Sequence, residues 1–593
     1  MSRSLRAIIG SPDRDESWLS LRAARAARRT GRIAVVWAAV WFSVGCADAP
    51  AEESPRDLST PHGEAYRPTV GGSQGLVAAN HPLAASAGFE VLLAGGNAVD
   101  AAIATGAVLG VVEPFMSGVG GVGWMNIYWA ETGTVHILNF SGRAPRSLSA
   151  DHFDMEEGMA PRSALTPLVP GSASAWARAQ ERFGTMNAPR LLESAIRIAD
   201  EGFPITAYGA GFHDRHSYVF LDWDGVGADA WWDGRREPPQ PGMRVRNPDL
   251  ANLYRILAQD GFDAFYEGEV PQEIVSAYQE AGGVITEEDF RDYEATWESP
   301  LHITYRGYDV YNAPPNSSGG LAILQILKTL EGYDLREMEV NSADYIHHLV
   351  EAIKLAGADR EEWSGDPDFM DVEIPLDDLL SEEHAAQQRA RIDPLMAATE
   401  VTAGRLQPGT THYSIADARG NLVSVTTTMG SFFGTGLVGG GTGVLLNNGV
   451  TWFELDPESP AYVEGGKRTR WNMAPTLIGH DGTPFIAMGT PGGPGIWQTQ
   501  PQVITKLLDF GMDPQNAIES PRFRWQLHGT EVQAEGRIAP EVVSELERRG
   551  HSVHVVDSWT MAVGGMNVVK RDPASGLMWG GADPRRDGYV VGW

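Results

Sequence analysis

The chain has 593 residues, 42% of them apolar and 21% charged, with 68 glycines, 37 prolines and one cysteine; this is enough for a large core and excludes a disordered chain, a collagen or a disulfide scaffold. Acidic residues outnumber basic ones 77 to 46, a formal charge of −31, which excludes the clustered positive surface that nucleic acid rewards.

Residues 1–32 carry eight arginines against three acids, and an apolar run over 33–44 precedes Gly45-Cys46-Ala47-Asp48. A basic head, a short apolar run and small residues at its end predict an export signal over residues 1–45. The run is too short to span a bilayer comfortably. Ser43-Val44-Gly45-Cys46 is similar to a bacterial lipobox, with Ser43 where leucine is usual. Cys46 is therefore the expected lipidation site, and the exported chain is expected in the bacterial periplasm or on the outer membrane as a lipoprotein, with possible membrane anchoring through that residue. A plain secretory signal with an incidental cysteine is the alternative. Arg28-Arg29 forms an arginine pair, but its flanks do not fit a twin-arginine signal. Residues 46–72, rich in Pro, Glu, Ser and Gly, read as a flexible tether.

The folded pattern opens with a short strand over 75–79. Leu83, Ala87, Val91 and Ala94 then recur at helical spacing until Gly95-Gly96. Asn97 is placed to cap a second apolar helix that ends before Glu113-Pro114. Strands are expected over 124–130 and 135–140, helices over most of 173–277, extended chain over 303–311, and a helix over 342–358. Residues 118–123 and 434–439 both fit G-x-G-x-x-G. Neither lies between a strand and a helix, as a dinucleotide site requires, so both read as tight packing turns. His347, His348 and Glu351 share one helix, but no further ligand cluster accompanies them, so no metal and no cofactor is expected. No G-x-S-x-G or H-E-x-x-H motif occurs. Strands and helices mix throughout, which points to a layered α+β or α/β protein.

The chemistry concentrates after residue 408. Residues 410–416 and 422–429 read as Thr- and Val-rich strands flanking the turn Asp417-Ala418-Arg419-Gly420-Asn421. A hairpin centred on Arg419 sets Ala416 opposite Leu422 and Thr410 opposite Thr428. Directly opposed residues share a face about 5 Å apart, so two hydroxyls meet at the open end. On spacing alone, a surface threonine ladder is the simpler reading.

Gly409-Thr410-Thr411-His412-Tyr413-Ser414, followed by Asp417, Gly420-Asn421 and Thr428, closely resembles the processing site of the γ-glutamyltransferases, or glutathione hydrolases. Gly95-Gly96-Asn97-Ala98-Val99-Asp100-Ala101-Ala102, Pro314-Pro315-Asn316-Ser317-Ser318-Gly319-Gly320 and Ala358-Asp359-Arg360 are similar to landmarks of that family's large subunit. Phe433-Gly434-Thr435-Gly436, Leu446-Asn447-Asn448, Pro491-Gly492-Gly493, Pro521-Arg522-Phe523 and Asp583-Pro584-Arg585 are similar to landmarks of its small subunit.

The resemblance implies a four-layer αββα sandwich of the N-terminal-nucleophile hydrolase type. It implies a precursor that cuts itself between Gly409 and Thr410, into a large subunit over 73–409 and a small catalytic subunit over 410–593. Once N-terminal, Thr410 can use its own α-amine as base, since such an amine has a pKa of about 7.7–8.0. By the same resemblance Thr428 orients the Thr410 hydroxyl, and the N–H groups of Gly492 and Gly493 form the oxyanion hole. The implied substrate is a small γ-glutamyl peptide or amide. It is cleaved through a γ-glutamyl-threonine intermediate, with transfer to water or to an amino acid or peptide.

The acyl pocket departs from the family. Ser141 stands where the family has a carboxylate-binding arginine, with Arg143 two residues on as a candidate replacement. Trp471-Asn472 replaces a serine pair, and Gly430, Gly449 and Trp452 replace the partners of the α-amine, with Glu454 as a candidate acid nearby. Arg143, Asn472 and Glu454 are thus the candidate substrate-binding residues. These changes leave open an acylase of the same fold acting on another, glutaryl-type, acyl amide, or a non-catalytic surface lipoprotein.

Overall fold

The hairpin expected around Arg419 forms in the expected register. Its strands, Thr410–Asp417 and Leu422–Thr428, pair antiparallel with Ala416 opposite Leu422 and Thr410 opposite Thr428. β-Branched side chains suit a pleated surface packed on both faces, and every residue of both strands is buried. Asp417 closes the turn. Its carboxylate accepts the Asn421 N–H at 3.0 Å and the Asn421 amide at 2.8 Å, and also the Ala98 N–H at 3.0 Å, at the start of a helix. One carboxylate thereby fixes the hairpin turn to the helix layer.

The computed structural model describes residues 65–402 and 409–593; the export signal, Cys46 and most of the tether lie outside them. The hairpin sits in a seven-stranded antiparallel sheet, ordered Tyr589–Gly592, Gly75–Ala79, Thr410–Asp417, Leu422–Thr428, Val122–Trp129, Thr134–Phe140, Thr296–Glu298. A second seven-stranded antiparallel sheet runs Val70–Gly72, Met578–Ala582, Asn567–Arg571, Thr483–Gly489, Thr476–His480, Tyr308–Asn312, Leu301–Tyr305. The two sheets face each other across Leu76, Ala78, Tyr128, Ala416 and Leu422 on one side and Leu477, Ala487, Val569 and Met578 on the other. Ser424 Oγ crosses between them to donate to the Met488 carbonyl at 2.9 Å.

Helices Pro82–Leu93 and Ala98–Val112 cover the outer face of the first sheet. Asn97 caps the second of these in a reciprocal box with Asp100. The helix is rich in alanine and glycine and wholly buried, so neighbours approach its backbone closely. A methyl at Gly106 would lie 2.5 Å from the Tyr413 hydroxyl. Helices Ser318–Leu330, Ala343–Trp363 and Ile496–Leu508 share a core with Ile478, Ile486 and Val568 of the second sheet. The result is the αββα sandwich.

The helix expected over 342–358 continues to Trp363. Helices occupy most of residues 172–280. The tether ends earlier than its composition suggests: Val70–Gly72 forms an edge strand on Met578–Ala582, because a free sheet edge satisfies its backbone. Both glycine-rich stretches act as packing turns against one segment. A methyl at Gly120 would fall 2.2 Å from the Leu445 carbonyl, and one at Gly434 2.0 Å from the Leu446 carbonyl.

His347 and Glu351 meet His551, a residue the sequence pattern did not connect to them, with candidate ligand atoms within 4.8 Å. Both ring nitrogens of His347 and both carboxylate oxygens of Glu351 have hydrogen-bond partners, whereas His551 Nδ1 is buried without one among the described residues. His347 Nδ1 bonds His551 Nε2 at 2.8 Å and its Nε2 bonds the Asp393 carbonyl at 2.7 Å. Glu351 accepts from Lys354 Nζ at 2.8 Å and from the Ala398 N–H at 3.1 Å. The group fastens residues 393–398, which lead toward Gly409, to the helix layer and to the C-terminal region.

Candidate active site

Thr410 begins a central strand and is 4% exposed. Its Oγ1 lies 3.3 Å from Thr428 Oγ1, the contact that the opposed register dictates. Thr428 Oγ1 in turn donates to the carbonyl of Gly409 and accepts the Gly430 N–H at 2.9 Å. One hydroxyl therefore touches both the Thr410 side chain and the carbonyl that precedes Thr410. Gly409 has φ +138, and a methyl there would fall 2.6 Å from the Ser431 carbonyl carbon. Only glycine fits that approach.

His412 is two residues away on the same face, but it does not serve Thr410. Its ring nitrogens bond Thr426 Oγ1 and Ser414 Oγ, each at 2.9 Å. Burial pushes its pKa down to about 3, so the ring is a neutral structural bridge. Among the described residues, Thr428 is the hydrogen-bond partner of Thr410 Oγ1, and no imidazole or carboxylate stands beside it as a base. That leaves the α-amine that cleavage would create as the adjacent proton acceptor.

On the other face of the strand, Thr411 Oγ1 donates to Glu113 Oε2 at 2.9 Å and accepts from Asn80 Nδ2 at 3.1 Å. Asn567 donates to both Asn80 Oδ1 and the His412 carbonyl at 2.9 Å, which ties the Thr410–Asp417 strand to the second sheet. Arg586 Nη1 donates to the Thr410 carbonyl at 3.1 Å. Glu113, Arg586, Asn80 and Asn567 escaped the sequence reading. Glu113 signalled only a helix end, and Arg586 was visible only as the neighbour of the Asp583-Pro584-Arg585 landmark.

Gly492 and Gly493 follow the strand Thr483–Gly489, which lies against the Thr410–Asp417 strand. A methyl at Gly489 would come 2.4 Å from the His412 ring. Both glycines have positive φ, +137 and +56. Their loop runs into the N-terminus of helix Ile496–Leu508, where backbone N–H groups favour negative charge. Thr490 Oγ1 braces the loop by accepting the Gly565 N–H at 2.9 Å.

The acyl-side candidates lie in several separate segments, each with its own surroundings. Gly430 lies against Asn448, since a methyl there would fall 2.4 Å from Asn448 Oδ1. Next to Asn448, Gly449 leaves room for Trp471, whose Cζ2 would lie 2.8 Å from an added methyl. Trp452 packs on Trp471 with ring centroids 5.3 Å apart. Asn472 is buried, and neither atom of its amide has a hydrogen-bond partner among the described residues. Arg143 is engaged elsewhere, with the Gly466 carbonyl at 2.9 Å and with Asp368 at 3.4 Å. Glu454 is paired with Arg470, which also holds Glu361 at 2.8 Å. The structure thus brings Thr410 and Thr428 together with Gly409, and leaves Arg143 and Glu454 bound to internal partners.

The sequence profile described as Gamma-glutamyltranspeptidase matches residues 84–593. The chain is 37% identical to the "Glutathione hydrolase-like YwrD proenzyme" of Bacillus subtilis (strain 168), over 88% of this chain and 99% of the relative. It is 36% identical to the "Acylase ACY 1 proenzyme" of Pseudomonas sp. (strain SE83), over 88% and 94%. The crystal structure of cephalosporin acylase from Bacillus halodurans superposes with a TM-score of 0.83 at 33% identity, covering 89% of this chain and 98% of that one. Profile, relatives and sandwich agree with the threonine pair: the chain is an N-terminal-nucleophile enzyme and belongs to the gamma-glutamyltranspeptidase family.

Proposed function

We propose that the precursor cuts itself between Gly409 and Thr410, and that mature Thr410 cleaves γ-glutamyl amides through a γ-glutamyl ester on its hydroxyl. The observation that carries this reading is the position of Thr428, bonded at once to Thr410 Oγ1 and to the Gly409 carbonyl. In processing, Thr410 Oγ1 attacks the Gly409 carbonyl carbon while Thr428 polarises its oxygen. The Gly409–Thr410 C–N bond breaks, and the proton goes to the departing nitrogen. Water then hydrolyses the resulting ester, leaving a Gly409 carboxylate and a free Thr410 amine. Large and small subunits thus come from one precursor, and the proenzyme names of the relatives support that.

In turnover the α-amine takes the Thr410 hydroxyl proton as the hydroxyl attacks the substrate amide. The N–H groups of Gly492 and Gly493 stabilise the oxyanion, each such donor typically contributing about 3–4 kcal/mol. The amine returns the proton to the leaving amine, and water or an amino acid accepts the acyl group.

A second reading, an acylase for a glutaryl-type amide, is favoured by the pocket wall. Arg143 and Glu454, the charged candidates for holding an amino-acid head, are already paired. Trp452 and Trp471 pack on each other at the positions that depart from the family instead, and the Asn472 amide has no hydrogen-bond partner among the described residues. Steady-state hydrolysis of γ-glutamyl and glutaryl p-nitroanilides by the processed enzyme separates the two. A higher kcat/KM for the γ-glutamyl compound supports the first reading, and no release from it removes that reading. Residues 1–45 as export signal and Cys46 as lipid anchor belong to the same proposal, and metabolic labelling with a fatty acid, lost in Cys46→Ser, tests them.

A further inference from the structure

Arg586 is 4% exposed and has no ion-pair partner among the described residues. Its Nη1 reaches the Thr410 carbonyl at 3.1 Å and Met116 Sδ at 3.5 Å, while its Nε has no partner. Its aliphatic stem crosses Gly565, where a methyl would lie 2.4 Å from Cδ, and the Gly565 N–H braces Thr490 at the base of the glycine loop. A buried guanidinium with no ion-pair partner among the described residues thus lies between the Thr410 backbone and the glycine loop.

Glu113 opposes it from the C-terminal end of helix Ala98–Val112. Oε2 is held by Thr411, and Oε1 is buried without a partner. Burial raises its pKa to about 7, with Arg586 and the Thr411 hydrogen bond pulling the other way and Asp587 adding to the rise. The remaining titratable groups around this charge are Asp587, itself raised by burial, and the buried Tyr208 on helix Ala207–Arg215.

We propose that Arg586 is a positioning residue that anchors the Thr410 carbonyl and whose charge holds the mature Thr410 α-amine in its neutral, proton-accepting form, with Glu113 opposing that field. A cation a few ångströms from an amine disfavours a second cation, and a nearby carboxylate weakens the effect. The inference rests on Thr410 acting as the N-terminal nucleophile.

The test is the pH dependence of kcat/KM for the processed enzyme on γ-glutamyl or glutaryl p-nitroanilide, whichever the wild type cleaves. Its acid limb reports protonation of the free enzyme's base. Arg586→Gln is expected to move that limb up by about one pH unit, while Arg586→Lys, which keeps the charge, leaves it near the wild-type position. Glu113→Gln is expected to move it down by a smaller amount, because the opposing carboxylate is gone. An acid limb that stays put in both Arg586→Gln and Glu113→Gln, or that moves in the opposite sense, overturns the inference. If Arg586→Gln does not process itself, the wild-type profile decides, and an acid limb at or above the ordinary α-amine pKa of about 7.7–8.0 overturns it. A wild type that neither processes nor cleaves either anilide would instead remove the nucleophile assignment.

Discussion

Thr428 Oγ1 lies 3.3 Å from Thr410 Oγ1 across the central hairpin and also donates to the carbonyl of Gly409. On the proposed reading, this one hydroxyl meets both the nucleophile and the bond it must break. Thr428→Val keeps the shape and removes the hydroxyl. Self-cleavage and turnover should both slow, by about 10- to 150-fold if the lost hydrogen bonding is worth about 1.5–3 kcal/mol. Thr428→Ser should retain most of both rates. Band intensities over time on a denaturing gel give the first rate, and anilide hydrolysis the second.

Gly409 separates processing from catalysis. A methyl there would press on the Ser431 backbone, and the residue would have to hold φ +138, a conformation costing about 1–3 kcal/mol for a non-glycine residue. Gly409→Ala should slow precursor cleavage markedly. The fraction that does cleave should hydrolyse anilide with kcat/KM much closer to wild type, since residue 409 is then the end of the other subunit. Equal losses in both measurements would contradict this assignment.

Gly492 is the sharper probe of the oxyanion loop. A methyl there makes only ordinary van der Waals contact, with Gly564 Cα nearest at 3.5 Å, yet φ is +137. Gly492→Ala therefore strains the loop without crowding it. The expected result is a fall in kcat of at least about 10-fold with little change in KM, since misaimed N–H donors weaken the transition state more than the bound substrate.

Buried histidines set the acid limit of stability. Burial holds the pKa of His412, His213 and His551 each at about 3, against an ordinary value of 6.5. The unfolded chain binds these protons below 6.5, whereas the folded chain resists them down to about 3. Stability is therefore full above pH 6.5 and declines as pH falls through that window. Thermal unfolding midpoints of the processed enzyme should drop from pH 7.5 to pH 5. A midpoint that rises on acidification would be incompatible with these rings being buried and neutral.

Much of the site was legible because its signals are local. The register of the Thr410–Thr428 pair follows from one turn centre and a period of two. The Asn97 cap follows from an asparagine before an apolar helix, and the packing role of the glycine stretches follows from the missing strand–helix context. What was not legible is set by distant chain. Glu113 and Arg586 are separated from Thr410 by roughly 300 and roughly 180 residues, and only the sandwich brings them to the Thr410-Thr411 segment. His551 likewise joins His347 only through the packing of the C-terminal region. Arg143 and Glu454 looked available because sequence shows a charge but not its partner; Asp368 and Arg470 occupy them. The end of the tether was misplaced at residue 72 because the strand Val70–Gly72 is specified by a free sheet edge rather than by its own composition.

The central claim, that Thr410 becomes the N-terminal nucleophile, is tested most directly by N-terminal sequencing of the purified protein after denaturing electrophoresis. The account predicts two bands, the smaller beginning Thr410-Thr411-His412-Tyr413-Ser414, and a single uncut band for Thr410→Ala. One uncut wild-type band, or a small fragment that begins at any other residue, would contradict it.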